Sequence, residues 1–370
     1  MNTRRPPITR RKFIQTGSAW IAATTMAGRA SSSAAPAGSP EPFDVTFYQM
    51  GEPQYRAMDT TVEDGVNINQ AIRDNLKRLM QLTPETEMPG GLGTIGKARG
   101  VINVGDCIQA GNEDNLGMEA TKAKQWENYV ADFGLTGKEP AALLKLPVYE
   151  GFGNRDQDGF VQGIITRISQ RNKQRPGVTG VSGSFVYPNV KGGGFAGVHA
   201  EGLHYAWKWG PVHFVHANMR VGDSLTRYPA VASHTFLADY LDKHVGFSGA
   251  PVIIAMHLPP TTAPEGEWPA EDRKKFYDLI GGYNVVLLLC GNTSNFKSGE
   301  WRGPDSSGSL AVPFVQSDCF NHNGPGDGFM NVIRIKSLAD DPTKAQLVVA
   351  RRKRNNTWGE TLTAEISVSA

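Results

Sequence analysis

The run Val101-Ile102-Asn103-Val104-Gly105-Asp106 constrains this chain most. Its apolar residues read as a buried strand, and that strand ends in a glycine that throws a carboxylate out of its C-terminal end. Open α/β sheets build their sites there, outside the carboxyl ends of the strands. A lone Gly-Asp pair also serves simply to cap the next helix. Three later strands end in comparable polar clusters, which turns attention to all the strand ends together.

Strand-like and helix-like segments alternate along the chain, the pattern of an α/β domain. Phe43 to Met50 alternates into a strand, and Val66 to Leu82 carries Ile68, Ile72, Leu76 and Leu79 at helical spacing. Trp126, Tyr129, Val130 and Phe133 form a second helical face before the strand Pro147 to Gly151; Val161, Ile164, Ile165 and Ile168 mark a third helix. A loop-rich insertion full of Gly, Ser and Val runs to about Gly202. Two aromatic strands, His204 to Trp209 and Val212 to Asn218, meet at Gly210-Pro211 like a hairpin. Ser233 is placed to cap a helix carrying Phe236, Leu237, Tyr240 and Leu241, and Pro251 opens an apolar strand to Met256. Pro269 fits the first turn of a helix that Gly281-Gly282 stops, before the strand Asn284 to Cys290. The C-terminal part reads as strands: Val312 to Phe320, Phe329 to Ile335 and Ala345 to Arg351. Gly91 to Lys97 has phosphate-loop spacing, yet Ala98 replaces the required Ser or Thr and a strand follows, so it reads as a flexible loop. No internal repeat or long linker divides the chain, and residues 43–370 read as one domain.

With 370 residues, 39% of them hydrophobic, the chain can bury a large core. The formal charge of +2 conceals an uneven distribution, because Arg4, Arg5, Arg10, Arg11, Lys12 and Arg29 all precede the first acidic residue, Glu41. Without those six, 32 basic residues face 36 acidic ones, a balance of −4 that points away from nucleic acid and membrane surfaces. The block Arg351-Arg352-Lys353-Arg354 reads as a solvated strand end. Residues 1–37 read as a targeting segment. Arg10-Arg11-Lys12-Phe13 precedes a mildly apolar run through Ala27, with small-residue cleavage options between Ala30 and Ala37. This resembles a twin-arginine export signal, which implies a periplasmic or extracellular destination. The apolar run is too short and too rich in Ala and Thr to anchor, so no membrane span is expected after its removal. Three cysteines, Cys107, Cys290 and Cys319, give neither zinc spacing nor a disulfide framework. Cys290 and Cys319 read either as a pair formed after export or as buried thiols.

Taken in order, the strand ends are Gly51-Glu52-Pro53-Gln54, Gly105-Asp106, Gly153-Asn154-Arg155-Asp156, His257, and Gly291-Asn292-Thr293-Ser294. This order resembles the calcineurin-like metallophosphoesterases, with their D-x-H, G-D, G-N-H-D, lone His and G-H-x-H blocks. The resemblance covers nearly all of the chain beyond the signal, including Trp207-Lys208-Trp209-Gly210-Pro211-Val212-His213-Phe214, which looks like that family's aromatic strand pair. It implies an α/β sandwich of two mixed β-sheets flanked by helices, and two metal positions sharing Asp106. The first would be Glu52, Gln54, Asp106 and Ser294, and every nitrogen ligand has gone from it. The second would be Asp106, Asn154, His257 and Asn292, where three of the four family residues survive. Arg155 stands where the family has the histidine that assists phosphoryl transfer.

A two-metal site holds its ions about 3.5–4 Å apart, so that both stabilise the attacking and leaving oxygens of one displacement. Losing the first position removes that arrangement and leaves room for one divalent ion, which could be Mg, Mn, Ca, Fe or Zn. The oxygens of Glu52, Gln54 and Ser294 suit Mg²⁺ or Ca²⁺ better than zinc or iron. Arg155 cannot pass a proton, but its planar fork suits a phosphate-like anion. The resemblance therefore implies an exported phosphoesterase cleaving a phosphate mono- or diester at an altered, single-metal site, with Asp106, Asn154, Arg155, Asp156 and His257 carrying the chemistry. The alternative is an inactive relative that binds an anion or a partner in the same cleft. His199, His204, His213, His216, His234, His244 and His322 lie off the motif positions and read as packing or surface residues.

Overall fold

The computed structural model describes residues 41–109, 119–156, 164–175, 177–182, 185–188, 195–198, 203–224, 226, 233–321 and 327–368. The expected signal segment 1–37, together with Val161, His199 and His322, lies outside them. In chain order the main elements are β1 (Asp44–Met50), α1 (Ile68–Met80), β2 (Ala98–Asn103), α2 (Glu119–Phe133), β3 (Val148–Glu150), α3 (Ile164–Gln174) and β4 (Val178–Ser182). There follow β5 (His204–Trp209), β6 (Val212–His216), α4 (Ser233–Tyr240), β7 (Val252–Ala255), α5 (Ala270–Ile280), β8 (Val285–Cys290) and β9 (Lys297–Trp301). The chain continues through β10 (Val312–Gln316), β11 (Gly328–Ser337), β12 (Lys344–Lys353) and β13 (Trp358–Ser367).

Two mixed sheets result. One has the order β13-β12-β11-β1-β2-β3 and the other β9-β10-β8-β7-β6-β5-β4. Their inner faces meet through side chains that the period of two sends to one side: Val45, Phe47, Ile102 and Val104 from the first sheet, and Phe214, Ile253, Leu287 and Leu289 from the second. Aromatic rings tie the layers, Tyr149 stacking on Trp207 at 4.3 Å and Phe47 meeting Phe214 edge-on at 5.2 Å. Helices cover the outer faces. In α1, Ile68, Ile72, Leu76 and Leu79 form one buried stripe, and the Asn67 side chain caps its start by accepting from the Gln70 N–H at 3.0 Å.

The strand directions position the site. Strands β1, β2 and β3 run parallel in the first sheet, and β6, β7, β8 and β10 run parallel in the second. All the polar clusters singled out in the sequence therefore follow C-terminal strand ends and gather at one rim of the sandwich.

Several local expectations are corrected. The Gly91–Lys97 segment is not a free loop: Ile95 is fully buried, its N–H donates to Thr86 O at 2.9 Å, and Met88 N–H donates to Gly93 O at 2.7 Å. The Ser233 hydroxyl does not cap α4; it donates to Arg220 O at 2.8 Å and accepts from Gly222 N–H at 2.9 Å, fastening the incoming loop. The basic block is only partly solvated. Arg351 is buried and bonds both oxygens of Asp318 at 2.7 and 2.8 Å and Glu360 at 2.9 Å, while Arg354 donates to Cys319 O at 2.7 Å. All three cysteines are free and buried. Among the described residues no helix is long and apolar enough to cross a membrane.

Candidate functional site

Tight loops carry the strand-end residues. Nine non-glycine residues among those described adopt positive φ, and five of them are Glu52, Gln54, Asp106, Asn292 and Ser294, at 59°, 48°, 57°, 72° and 53°. Left-handed backbone costs roughly 1 kcal/mol or more for a residue with a Cβ, and such strain gathers where surrounding structure must aim side chains. The loops hold each other: Glu52 N–H donates to Gly105 O at 3.0 Å, and Gln54 N–H to Asp106 O at 2.9 Å. Glycine is required at two of the turns. A Cβ on Gly105 would lie 2.6 Å from Gly153 N, and one on Gly153 would strike Asp106 Oδ1 and come within 2.6 Å of His257 Cε1.

His257, fully buried, sits at the centre. Its Nδ1 is 3.0 Å from Val104 O, and because a carbonyl only accepts, Nδ1 carries the hydrogen. That leaves Nε2 with a lone pair, 3.0 Å from Asn154 Oδ1 and 3.5 Å from Asp106 Oδ1. The Asn292 side chain also reaches the ring. Burial pushes the imidazole pKa down and keeps it neutral, although Glu52, Val104 and Asp156 all pull the other way. Three acceptor atoms thus converge. Ligands about 2.1 Å from one ion stand about 3.0 Å apart along an octahedral edge, the separation of His257 Nε2 from Asn154 Oδ1, with Asp106 Oδ1 somewhat farther at 3.5 Å.

The first position is different. Glu52, buried beneath the rim, accepts the Ser294 N–H on Oε1 at 3.1 Å and the Ser294 hydroxyl on Oε2. Burial, and then the charge of Asp106, push its pKa up. Gln54 turns its Nε2 toward Asp106 Oδ2 at 3.4 Å while its Oε1 accepts from Asn321 Nδ2 at 3.2 Å. Where a cation would need lone pairs, the chain presents an amide N–H and a carboxylate already engaged. These residues do not fit a second ion. No group of three or more His, Cys, Asp or Glu side chains among the described residues forms a metal cluster.

Asp156 lies behind Asp106, fully buried, and accepts three backbone N–H groups: Gly153 at 2.8 Å and Cys107 at 3.1 Å on one oxygen, Ile108 at 3.0 Å on the other. It clamps the two loops to each other. Burial raises the pKa of both aspartates; for Asp156 the neighbouring Asp106 adds to the rise, and for Asp106 the Arg155 N–H, at 2.8 Å from Oδ1, and the Arg155 charge oppose it. Among the described residues no ion pair joins the half-buried Arg155 to Asp156 or Glu52. Two contributors carry no motif signal. Asn218, left-handed at φ 58°, accepts the His257 N–H at 2.6 Å, and Asn321 orients Gln54. Asn218 ends an expected strand as the other site loops do, a signal open to reading; Asn321 had none.

No protein-family model and no curated protein sequence matches the chain. Among solved structures, it is similar to a dimetal phosphatase from Danio rerio, with 12% identity over 88% of this chain and 99% of that one and a TM-score of 0.49. GAP50, the anchor in the inner membrane complex of Plasmodium, has 12% identity over 88% and 90%, with a TM-score of 0.46. A 5'-nucleotidase precursor from Thermus thermophilus has 10% identity over 88% and 55%, with a TM-score of 0.37. Likeness at this level assigns no role to any residue of this chain.

Proposed function

We propose that this chain is an exported, calcineurin-like phosphoesterase that acts on a phosphate mono- or diester and holds one divalent cation through Asp106, Asn154 and His257, with Asn292 beside them. One observation carries the reading: two acceptors, the buried His257 Nε2 and the half-buried Asn154 Oδ1, face each other at 3.0 Å. Such a pair repels unless positive charge stands close by, and burial disfavours a second proton on the ring. A divalent cation there supplies Lewis-acid polarisation of a phosphoryl oxygen and lowers the pKa of water. The chain's own contributions are distinct. Val104 fixes the His257 tautomer, Asp156 holds the loops, and Arg155 offers a permanent positive fork to the anion without donating its proton. Elemental analysis of purified protein tests this directly, with one divalent ion per chain expected and none overturning it.

A second reading, an inactive relative that only binds an anion or partner, is favoured by the closure of Glu52 on Ser294 and of Gln54 on Asp106. Hydrolysis of a generic aryl phosphate by metal-loaded protein separates the two. Slow, metal-dependent turnover supports the first reading; binding without turnover supports the second.

The anion-binding role of Arg155 has its own test. Charge-assisted hydrogen bonds contribute roughly 1.5–3 kcal/mol, so Arg155→Ala weakens inorganic phosphate or vanadate binding about tenfold or more. Unchanged affinity in a calorimetric titration removes Arg155 from the site.

Export rests on Arg10-Arg11 and Phe13. Changing both arginines to lysine is expected to leave a full-length folded precursor in the cytoplasm, detected by cell fractionation. Continued export through a route for unfolded chains would show the twin-arginine assignment to be wrong.

A further inference from the structure

We infer that Asn321 is a positioning residue that locks Gln54 as a hydrogen-bond donor to Asp106, so that an N–H group of the chain itself fills the first cation position and bars a second ion. The inference concerns the half of the site that the proposed function leaves empty, and it rests on that reading only for the count of ions in the parent chain. Three consecutive hydrogen bonds carry it. Cys319 Sγ donates to Asn321 Oδ1 at 2.8 Å, Asn321 Nδ2 donates to Gln54 Oε1 at 3.2 Å, and Gln54 Nε2 donates to Asp106 Oδ2 at 3.4 Å.

The direction of this relay is set at both ends. Asp106 Oδ2 stands as the acceptor at one end, 3.4 Å from Gln54 Nε2, and the Cys319 thiol as the donor at the other, 2.8 Å from Asn321 Oδ1. Each amide in between then has one orientation, because turning either one would set acceptor against acceptor. The backbone supports the same arrangement. Gln54 is held in its left-handed conformation by the Arg56 guanidinium on its carbonyl and by its own N–H on Asp106 O at 2.9 Å. Gln54, Asp106, Cys319 and Asn321 are all buried, so water competes weakly for these bonds. An amide oxygen at Gln54 could ligate a hard cation; an amide N–H cannot. Loss of imidazoles is therefore only part of why the first position fails. Asn321 makes the remaining oxygen unavailable.

The test reverses the relay. In Asn321→Asp one carboxylate oxygen still accepts from Cys319, and the other accepts from Gln54, whose amide must turn and present Oε1 beside Asp106. Titration calorimetry with Mn²⁺ on the full chain, with manganese counted by elemental analysis, is expected to rise by one ion per chain relative to the parent. The added ion binds about tenfold or more tightly than any residual binding there in the parent, the scale of one buried group exchanged between repulsion and attraction. Adding Gln54→Ala to Asn321→Asp removes that ion again. Should the carboxylate prevent folding, Gln54→Glu is the independent arm: it offers an oxygen to the same position without touching Asn321, and it too gains an ion.

The inference fails if Asn321→Asp folds and gains nothing, or if the added ion survives Gln54→Ala, which would make the new carboxylate itself the ligand. It fails also if the parent already takes two ions. A parent with no ion and a variant with one leaves it standing while the proposed function falls. A parent and variant that both hold one ion do the opposite.

Discussion

His257→Ala is expected to abolish divalent-cation binding, lowering affinity about 100-fold or more, since even residues one shell out from a metal change affinity by about 10–100-fold. The imidazole is the only ring nitrogen among the proposed ligands, and its Nε2 lies 3.0 Å from Asn154 Oδ1 and 3.5 Å from Asp106 Oδ1. Removing it leaves two oxygens that no longer converge on anything. Calorimetry with Mn²⁺ or Zn²⁺ reads the loss, and the unliganded stability of the variant shows whether folding is intact. Full retention of the ion would mean that Asp106, Asn154 and Asn292 suffice and that the ring only packs. Turnover of an aryl phosphate should vanish with the ion; turnover without it would place the chemistry elsewhere.

Asp156→Ala is the second large effect, on stability. Its carboxylate accepts from Gly153, Cys107 and Ile108, and truncation leaves three buried N–H donors with no acceptor. At about 1–3 kcal/mol for each unsatisfied group, less than additively, the variant loses roughly 3–5 kcal/mol. A shifted midpoint in urea denaturation measures it. Asp156→Asn keeps an acceptor oxygen and is expected to lose less than half as much. A loss under about 1 kcal/mol for alanine, within the range of ordinary single bonds, would show that water replaces the clamp.

What the sequence disclosed follows from how local each feature is. Strands β7 and β8 were legible because they are short, wholly apolar runs, buried along their length. Strands β9 and β13 were not, because each is an outermost strand with many exposed positions, and Lys297, Glu300, Glu360 and Glu365 break any apolar run. The gathering of Glu52, Gln54, Asp106, Asn154, His257, Asn292 and Ser294 at one rim was legible from the order of strand ends together with the family resemblance that order carries. Which oxygen each of them has free was not. Ser294 reaches Glu52 across 242 residues and Asn321 reaches Gln54 across 267, and no spacing encodes such a pairing. The same limit misled the reading of Arg351, whose partner Asp318 lies 33 residues away on another segment.

The five left-handed residues have a consequence for what could be built into this rim. At Glu52 and Gln54 the backbone N–H groups rest on other backbone, Gly105 O and Asp106 O, whereas the Ser294 N–H rests on the Glu52 carboxylate. The address of the side chains at 52 and 54 is thus separate from their chemistry. Histidine, aspartate or cysteine placed at 54 would be delivered to the same spot, as a socket accepts different plugs. The molecule is in this respect a scaffold whose wiring outlasts its present fittings, open to redesign one residue at a time.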